Sequence, residues 1–271
     1  MSSTIDLSAM TPLTVHEFKL FAPAKVNGAD SLAYLDTGAN WVTISPQLAE
    51  AMPRVGTTTV RSAFEERTYE TVENIEIAFL GDARLTTALV TPVLDDGDQP
   101  PFVANIKLDA PTIFDKPLIF DFRLLSVSRP KQRGDEMWLT VPARFVEDKG
   151  ICLLELASRS GPITALFDTG AGLSVLNSAR IERGAFEFTP AFELEIGDAT
   201  GAKATQRVAR CSGLRVESIV VPDFHCFLTD LRAIEKALGC DIHMVFGANA
   251  MLRSGLSWLI DKPNEEVLFT A

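Results

Sequence analysis

Two stretches of this chain match each other without a gap. Ser31-Leu-Ala-Tyr-Leu-Asp36-Thr37-Gly38-Ala39-Asn-Trp41-Val-Thr-Ile44-Ser45 is the first. Ile163-Thr-Ala-Leu-Phe-Asp168-Thr169-Gly170-Ala171-Gly-Leu173-Ser-Val-Leu176-Asn177 is the second. Each runs from an apolar segment through Asp-Thr-Gly-Ala into a second apolar segment and ends on a residue suited to cap a helix, nine positions after the aspartate. At ordinary residue frequencies one such tetrapeptide appears by chance in a chain this long well under about 1% of the time. Two copies in matched surroundings indicate a duplicated unit. The aspartates stand 132 residues apart in a chain of 271, so the unit is close to half the molecule.

The polar run from Ser126 to Asp135, with Pro130 and Gly134, is the natural joint between the copies. The expected division is 1–133 and 134–271, two similar lobes of ordinary domain size. Both read as mainly β. Short runs rich in Val, Ile, Leu, Thr and Phe recur between turn signals at Val15–Phe21, Ile75–Phe79, Leu85–Val93, Phe145–Ala157, Phe192–Ile196 and Leu214–Val221. The clearest helix is Asp230–Leu238, with Leu231, Ile234 and Leu238 on one face and Gly239 as its stop.

A lone Asp-Thr-Gly is an ordinary turn; a matched pair has a chemical use. Hydrolysis of an amide without a metal or a covalent intermediate needs a base to activate water and an acid for the carbonyl oxygen or leaving amine. Two carboxyls in contact share one proton, because like charges that close do not both ionise easily. Asp36 and Asp168 are therefore the expected catalytic pair, titrating as a unit, with neither role assigned to either one. Gly38 and Gly170 allow a tight loop whose N–H groups face the carboxylates. Thr37 and Thr169 carry hydroxyls able to bond across to the opposite loop.

Asp36-Thr-Gly-Ala39 and Asp168-Thr-Gly-Ala171 resemble the active-site motif of the aspartic peptidases of the pepsin and retropepsin clan. Alanine after the glycine resembles the retropepsin-like branch, whereas two copies in one chain resemble the pepsin-like one. The resemblance implies an acid-protease fold of two β-barrel-like lobes with the active-site cleft between them. It also implies a peptide or protein substrate, no cofactor and no metal. Both copies in one chain imply that a monomer can be active, without excluding a dimer. The family's apolar-apolar-Gly strand behind the catalytic loop is matched by Val245-Phe246-Gly247. In the first half the counterpart is placed at Leu118–Leu125, with Asp121 where glycine is expected. Hairpin flaps are expected at Ile196–Ala202, including Gly201, and at Ala63–Tyr69, where Tyr69 is a candidate flap residue with an ordinary surface tyrosine as its competing reading. Trp41 is a candidate pocket residue, with core packing as its competing use. Val15–Phe21 and Val267–Thr270 would pair in a sheet joining the lobes.

A Ser or Thr hydroxyl after the glycine, as pepsin-like enzymes more often carry, would donate to the carboxylate and lower its pKa; Ala39 and Ala171 have none, so an optimum less acidic than that of a Ser/Thr-bearing enzyme is expected. The alternatives are a catalytically weak or inactive peptide-binding protein on the same fold, or a self-processing or single-target peptidase.

Other chemistries lack their residues. The formal net charge is −11, which argues against a nucleic-acid or anionic-membrane partner. No G-x-S-x-G, H-E-x-x-H or phosphate-binding glycine loop occurs. Cys152, Cys211, Cys226 and Cys240 have no zinc spacing and are expected as reduced thiols. His225 and Cys226 are neighbours on an expected strand, so their side chains point to opposite faces. Asp95-Asp96-Gly97-Asp98 reads as a solvated loop. With no secretory leader or membrane span evident, a cytoplasmic location is expected.

Overall fold

The computed structural model describes residues 10–61, 66–93, 104–130, 137–146, 148–182, 184–197 and 203–271. The protein is mainly β and its two halves repeat one architecture. The first half forms an eight-stranded sheet, in which Ala29–Leu35, Ala104–Leu108, Val42–Ile44 and Asp82–Val90 are consecutive neighbours. The second half forms a ten-stranded sheet, with Gly161–Asp168, Met244–Gly247, Ser174–Asn177 and Phe224–Thr229 in the same order. In both, the strand that leads into the repeated aspartate pairs in parallel with a strand from late in its own half. That strand carries apolar residues on its core face: Ile106 and Leu108 in one half, Met244 and Phe246 in the other, all fully buried.

A third sheet is shared. Its six strands run Thr11–Pro12, Ser126–Ser128, Leu118–Asp121, Ser257–Asp261, Glu266–Thr270 and Leu139–Thr140. At its centre Leu118–Asp121 lies antiparallel to Ser257–Asp261, with Ile119 opposite Leu259. Each half supplies a hairpin to this sheet, and each hairpin turn is held by an aspartate. Asp121 accepts from the N–H groups of Arg123 and Leu124, both at 2.9 Å. Asp261 accepts from Asn264 N–H at 3.2 Å. An aromatic cluster covers the sheet: Phe120, Phe167, Phe246, Trp258 and Phe269 are fully buried. Phe167, one residue before Asp168, packs on Phe120 at 6.0 Å and on Trp258 at 5.6 Å. Aromatic pairs of this kind contribute about 1 kcal/mol each beyond their burial, so the second aspartate's strand is anchored to both halves.

The sheet joining the halves differs from expectation in its N-terminal strand. Val267–Thr270 is in it, but Val15–Phe21 is not; Thr11–Pro12 takes that place, paired with Ser126–Ser128. Val15–Phe21 is broken into Thr14–His16 and Lys19–Val26 by a two-residue turn at Glu17 and Phe18, both with positive φ (48° and 62°). Such a turn normally carries Asn or Gly, and neither residue announces it. Leu214–Val221 divides in the same way around Glu217 (φ 51°). Ser45 and Asn177 do cap, accepting from Leu48 and Ala179 N–H, but each leads into a turn and not a helix. The predicted helix is present as Arg232–Leu238.

Candidate active site

The Asp-Thr-Gly-Ala loops of the two halves meet face to face. Thr37 Oγ1 donates to Phe167 O at 2.9 Å and accepts from Thr169 N–H at 2.9 Å. Thr169 Oγ1 donates to Leu35 O at 2.7 Å and accepts from Thr37 N–H at 3.2 Å. Both threonines are fully buried. Four hydrogen bonds thus cross between loops that lie 132 residues apart, each satisfying a backbone group that water cannot reach.

This clasp sets the carboxyls against each other's loops. A Cβ built on Gly38 would overlap the Asp168 carboxyl, and one on Gly170 would overlap that of Asp36. Only glycine permits the approach. Asp36 is nearly buried and accepts from Gly38 N–H at 3.2 Å. Asp168 accepts from Gly170 N–H at 2.8 Å and Ala171 N–H at 3.2 Å. Loss of hydration and, second, the Asp36 charge push Asp168 up to about 7, against the pull of the two N–H groups and of Lys107. Ala39 N–H is turned to Asp36 O within its own loop. Tyr34 adds another cross-link, its hydroxyl donating to Gly170 O at 2.5 Å.

Behind the second loop, Asp168 stands opposite Gly247, and Ala248 N–H donates to Ala171 O at 2.8 Å. A Cβ on Gly247 would lie 2.6 Å from Ala171 O and 3.0 Å from two further backbone atoms. Gly247→Ala should therefore displace the loop and cost about 1–3 kcal/mol, the usual range for overpacking a tight site, read as a lowered denaturation midpoint.

The first-half counterpart is not at Asp121, which serves the hairpin turn of the shared sheet. Leu108 stands opposite Leu35, which places Asp109 where the second half has Gly247. Ala110 N–H donates to Ala39 O at 2.9 Å, repeating the Ala248 bond. An aspartate does replace the glycine, twelve residues earlier than the apolar pattern suggested. Its carboxyl is turned away to cap the short helix Ala110–Ile113 through Thr112 N–H at 3.1 Å, and burial raises its pKa.

Sequence reasoning also missed Lys107. Its ammonium lies 3.1 Å from Asp36 Oδ2, with both side chains almost buried. A lysine flanked by Ile106 and Leu108 in the alternating stretch Asn105-Ile106-Lys107-Leu108 was the available signal. Tyr69 lies half-buried opposite Thr58 on the hairpin formed by Gly56–Arg61 and Glu66–Phe79. Residues 62–65, which join its strands in sequence, and Gly201, between Glu187–Gly197 and Lys203–Ser212 in sequence, lie outside the described residues, as does the acidic run at 95–98. Trp41 is half-buried just after the first loop. His225 packs on the Phe192 ring at 5.5 Å while Cys226 points into the core. All four cysteines are free. Among the described residues no group of three or more His, Cys, Asp or Glu side chains is placed to hold a metal, and no helix is long and apolar enough to cross a membrane.

Compared with known families, residues 156–250 match the one described as Aspartyl protease. That stretch holds Asp168-Thr-Gly-Ala171 and Gly247, so the second half resembles aspartic peptidases along its sequence as well as in its motif. No curated protein matches this chain. Among solved structures, the protease of Simian Foamy Virus (mac) is similar at 15% identity, covering 34% of this chain and 90% of that one, with a TM-score of 0.27.

Proposed function

We propose that this chain is an aspartic endopeptidase that hydrolyses peptide bonds with a water held between Asp36 and Asp168, one from each of two lobes spanning 1–133 and 134–271. The observation that carries the reading is the crossed packing of the loops, each carboxyl resting on the glycine of the other motif. Two carboxyls so placed retain one proton between them, and the raised pKa of Asp168 puts that state at near-neutral pH. One carboxylate takes a proton from water as its oxygen bonds to the carbonyl carbon, and the other carboxyl protonates the carbonyl oxygen. The tetrahedral product then loses its amine, which leaves with a proton as the C–N bond breaks. The substrate would lie extended between the lobes, where backbone pairing gives affinity and side-chain pockets give selectivity. One chain holds both motifs, so a monomer suffices. Four free thiols fit a reducing, cytoplasmic setting.

The test is incubation of the native chain with a diverse peptide mixture from pH 3 to 8, with new termini identified by mass spectrometry. Cleavage is expected, falling above about pH 7 as Asp168 loses its proton. A maximum near pH 2 contradicts the role given to Ala39 and Ala171, and no cleavage at any pH overturns the peptidase reading. A second reading, a peptide-binding protein without turnover, draws on the Lys107–Asp36 ion pair, which already engages one carboxylate. It predicts saturable peptide binding and no new termini.

A further inference from the structure

The two halves differ most sharply at one position beside the dyad. Lys107 stands opposite Tyr34 in the first half; its counterpart Val245 stands opposite Leu166 in the second. Val245 shows that the strand pairing itself does not require a cation there. An ammonium with a side chain only 11% exposed is costly to bury without an anion, and it has one: Asp36 Oδ2 at 3.1 Å, itself 12% exposed. Asp36 thus receives one N–H and one ammonium. Asp168 receives two N–H groups, and among the described residues no cation pairs with it.

We propose that Lys107 is a positioning residue that fixes the dyad's single negative charge on Asp36, so that Asp36 activates the water and Asp168 supplies the proton. The role assignment rests on the peptidase reading; the charge assignment does not. A symmetric pair of carboxyls shares its proton evenly, and a cation at one end breaks the balance. The other ionisable groups on the elements around Lys107 do not compete. Tyr34, on the neighbouring strand, donates to Gly170 O. Thr43, opposite Lys107 on the other side, carries no charge. Asp109 is occupied in capping Thr112 and is influenced by Arg84. Asp168, facing from the other loop, is held in its protonated form to about pH 7 by burial and by the Asp36 charge. In the reaction Asp36 accepts the water's proton while Asp168 protonates the carbonyl oxygen. In the second step Asp36 passes its proton to the departing amine, and Asp168 recovers one from the hydroxyl that becomes the new carboxyl.

The experiment compares the native protein with Lys107→Met and Lys107→Arg. It follows the carboxyl carbons of Asp36 and Asp168 by NMR across pH, with pH–rate profiles on a cleaved peptide alongside. In the native protein the step near pH 7 should belong to the Asp168 carboxyl alone. In Lys107→Met it should spread over both carboxyls and move upward by about one unit, because the lysine field that opposes protonation is gone. The alkaline fall in rate should move with it, and Lys107→Arg should restore the native pattern. A native titration in Lys107→Met overturns the proposal whether or not anything is cleaved. So does faster cleavage by Lys107→Met with an unmoved profile, which would make the lysine a plug. A shifted titration in a protein that cleaves nothing upholds the charge assignment and sinks the peptidase reading.

Discussion

Asp36→Asn and Asp168→Asn should each lower the rate of peptide cleavage by about 10³–10⁴-fold with the fold retained. A positioned base or acid contributes about 10²–10⁴-fold, and here each carboxyl would lose its role with no neighbour able to replace it. Asparagine matches the shape of aspartate, so the crossed glycine packing survives. The two losses should not add in the double variant, because in the proposed mechanism the pair acts as a unit. Full cleavage by either variant would place the chemistry elsewhere. Asp168→Asn carries a second signature. The Asp168 carboxyl is pushed up from 3.8 to about 7 in the folded protein. It therefore favours folding while protonated and opposes it once ionised, and that contribution is lost as pH rises through about 7. Asparagine never ionises. The variant should be more stable than the native protein at pH 8, on the order of 4 kcal/mol, with the gain gone at pH 4. Denaturant midpoints at the two pH values check this.

Thr169→Val should cost about 3 kcal/mol. Valine keeps the volume but removes one donor and one acceptor, leaving Leu35 O and Thr37 N–H buried without those partners. Each orphaned group costs about 1–3 kcal/mol. Thr169→Ser keeps the hydroxyl and should recover most of the loss. Turnover should fall further in Thr169→Val than stability alone explains, since a displacement of about 1 Å in a catalytic pair can cost about 10²-fold. Equal midpoints for Val and native protein would show that the threonine clasp follows from the fold and does not hold it.

The part of this site legible in the sequence is the part that lies next to the motifs in the chain. The loop residues, their glycines and the crossing threonines all come from a pattern repeated within fifteen positions. The strand behind each loop arrives from more than 70 residues away, and only Val245-Phe246-Gly247 keeps the apolar-apolar-Gly form. In the first half Lys107 interrupts the apolar lead and Asp109 replaces the glycine. Leu118–Asp121 then matches better for an unrelated reason: it is the counterpart of Trp258–Asp261 in the shared sheet. The turn at Glu17 and Phe18 was hidden differently. Its residues have side chains that disfavour positive φ, so the chain adopts there a conformation that local preference does not ask for.

The shared six-stranded sheet has a consequence for what this molecule can become. Two identical chains meeting on a two-fold axis must make every change twice, so a lysine beside one aspartate would bring a second beside the other. Here the hairpins Leu118–Ser128 and Ser257–Thr270 meet as such partners would, but they belong to one polypeptide. The halves can then differ one residue at a time. Lys107 against Val245, and Asp109 against Gly247, are changes no identical pair could make singly. Joining the copies end to end frees each aspartate to acquire surroundings of its own.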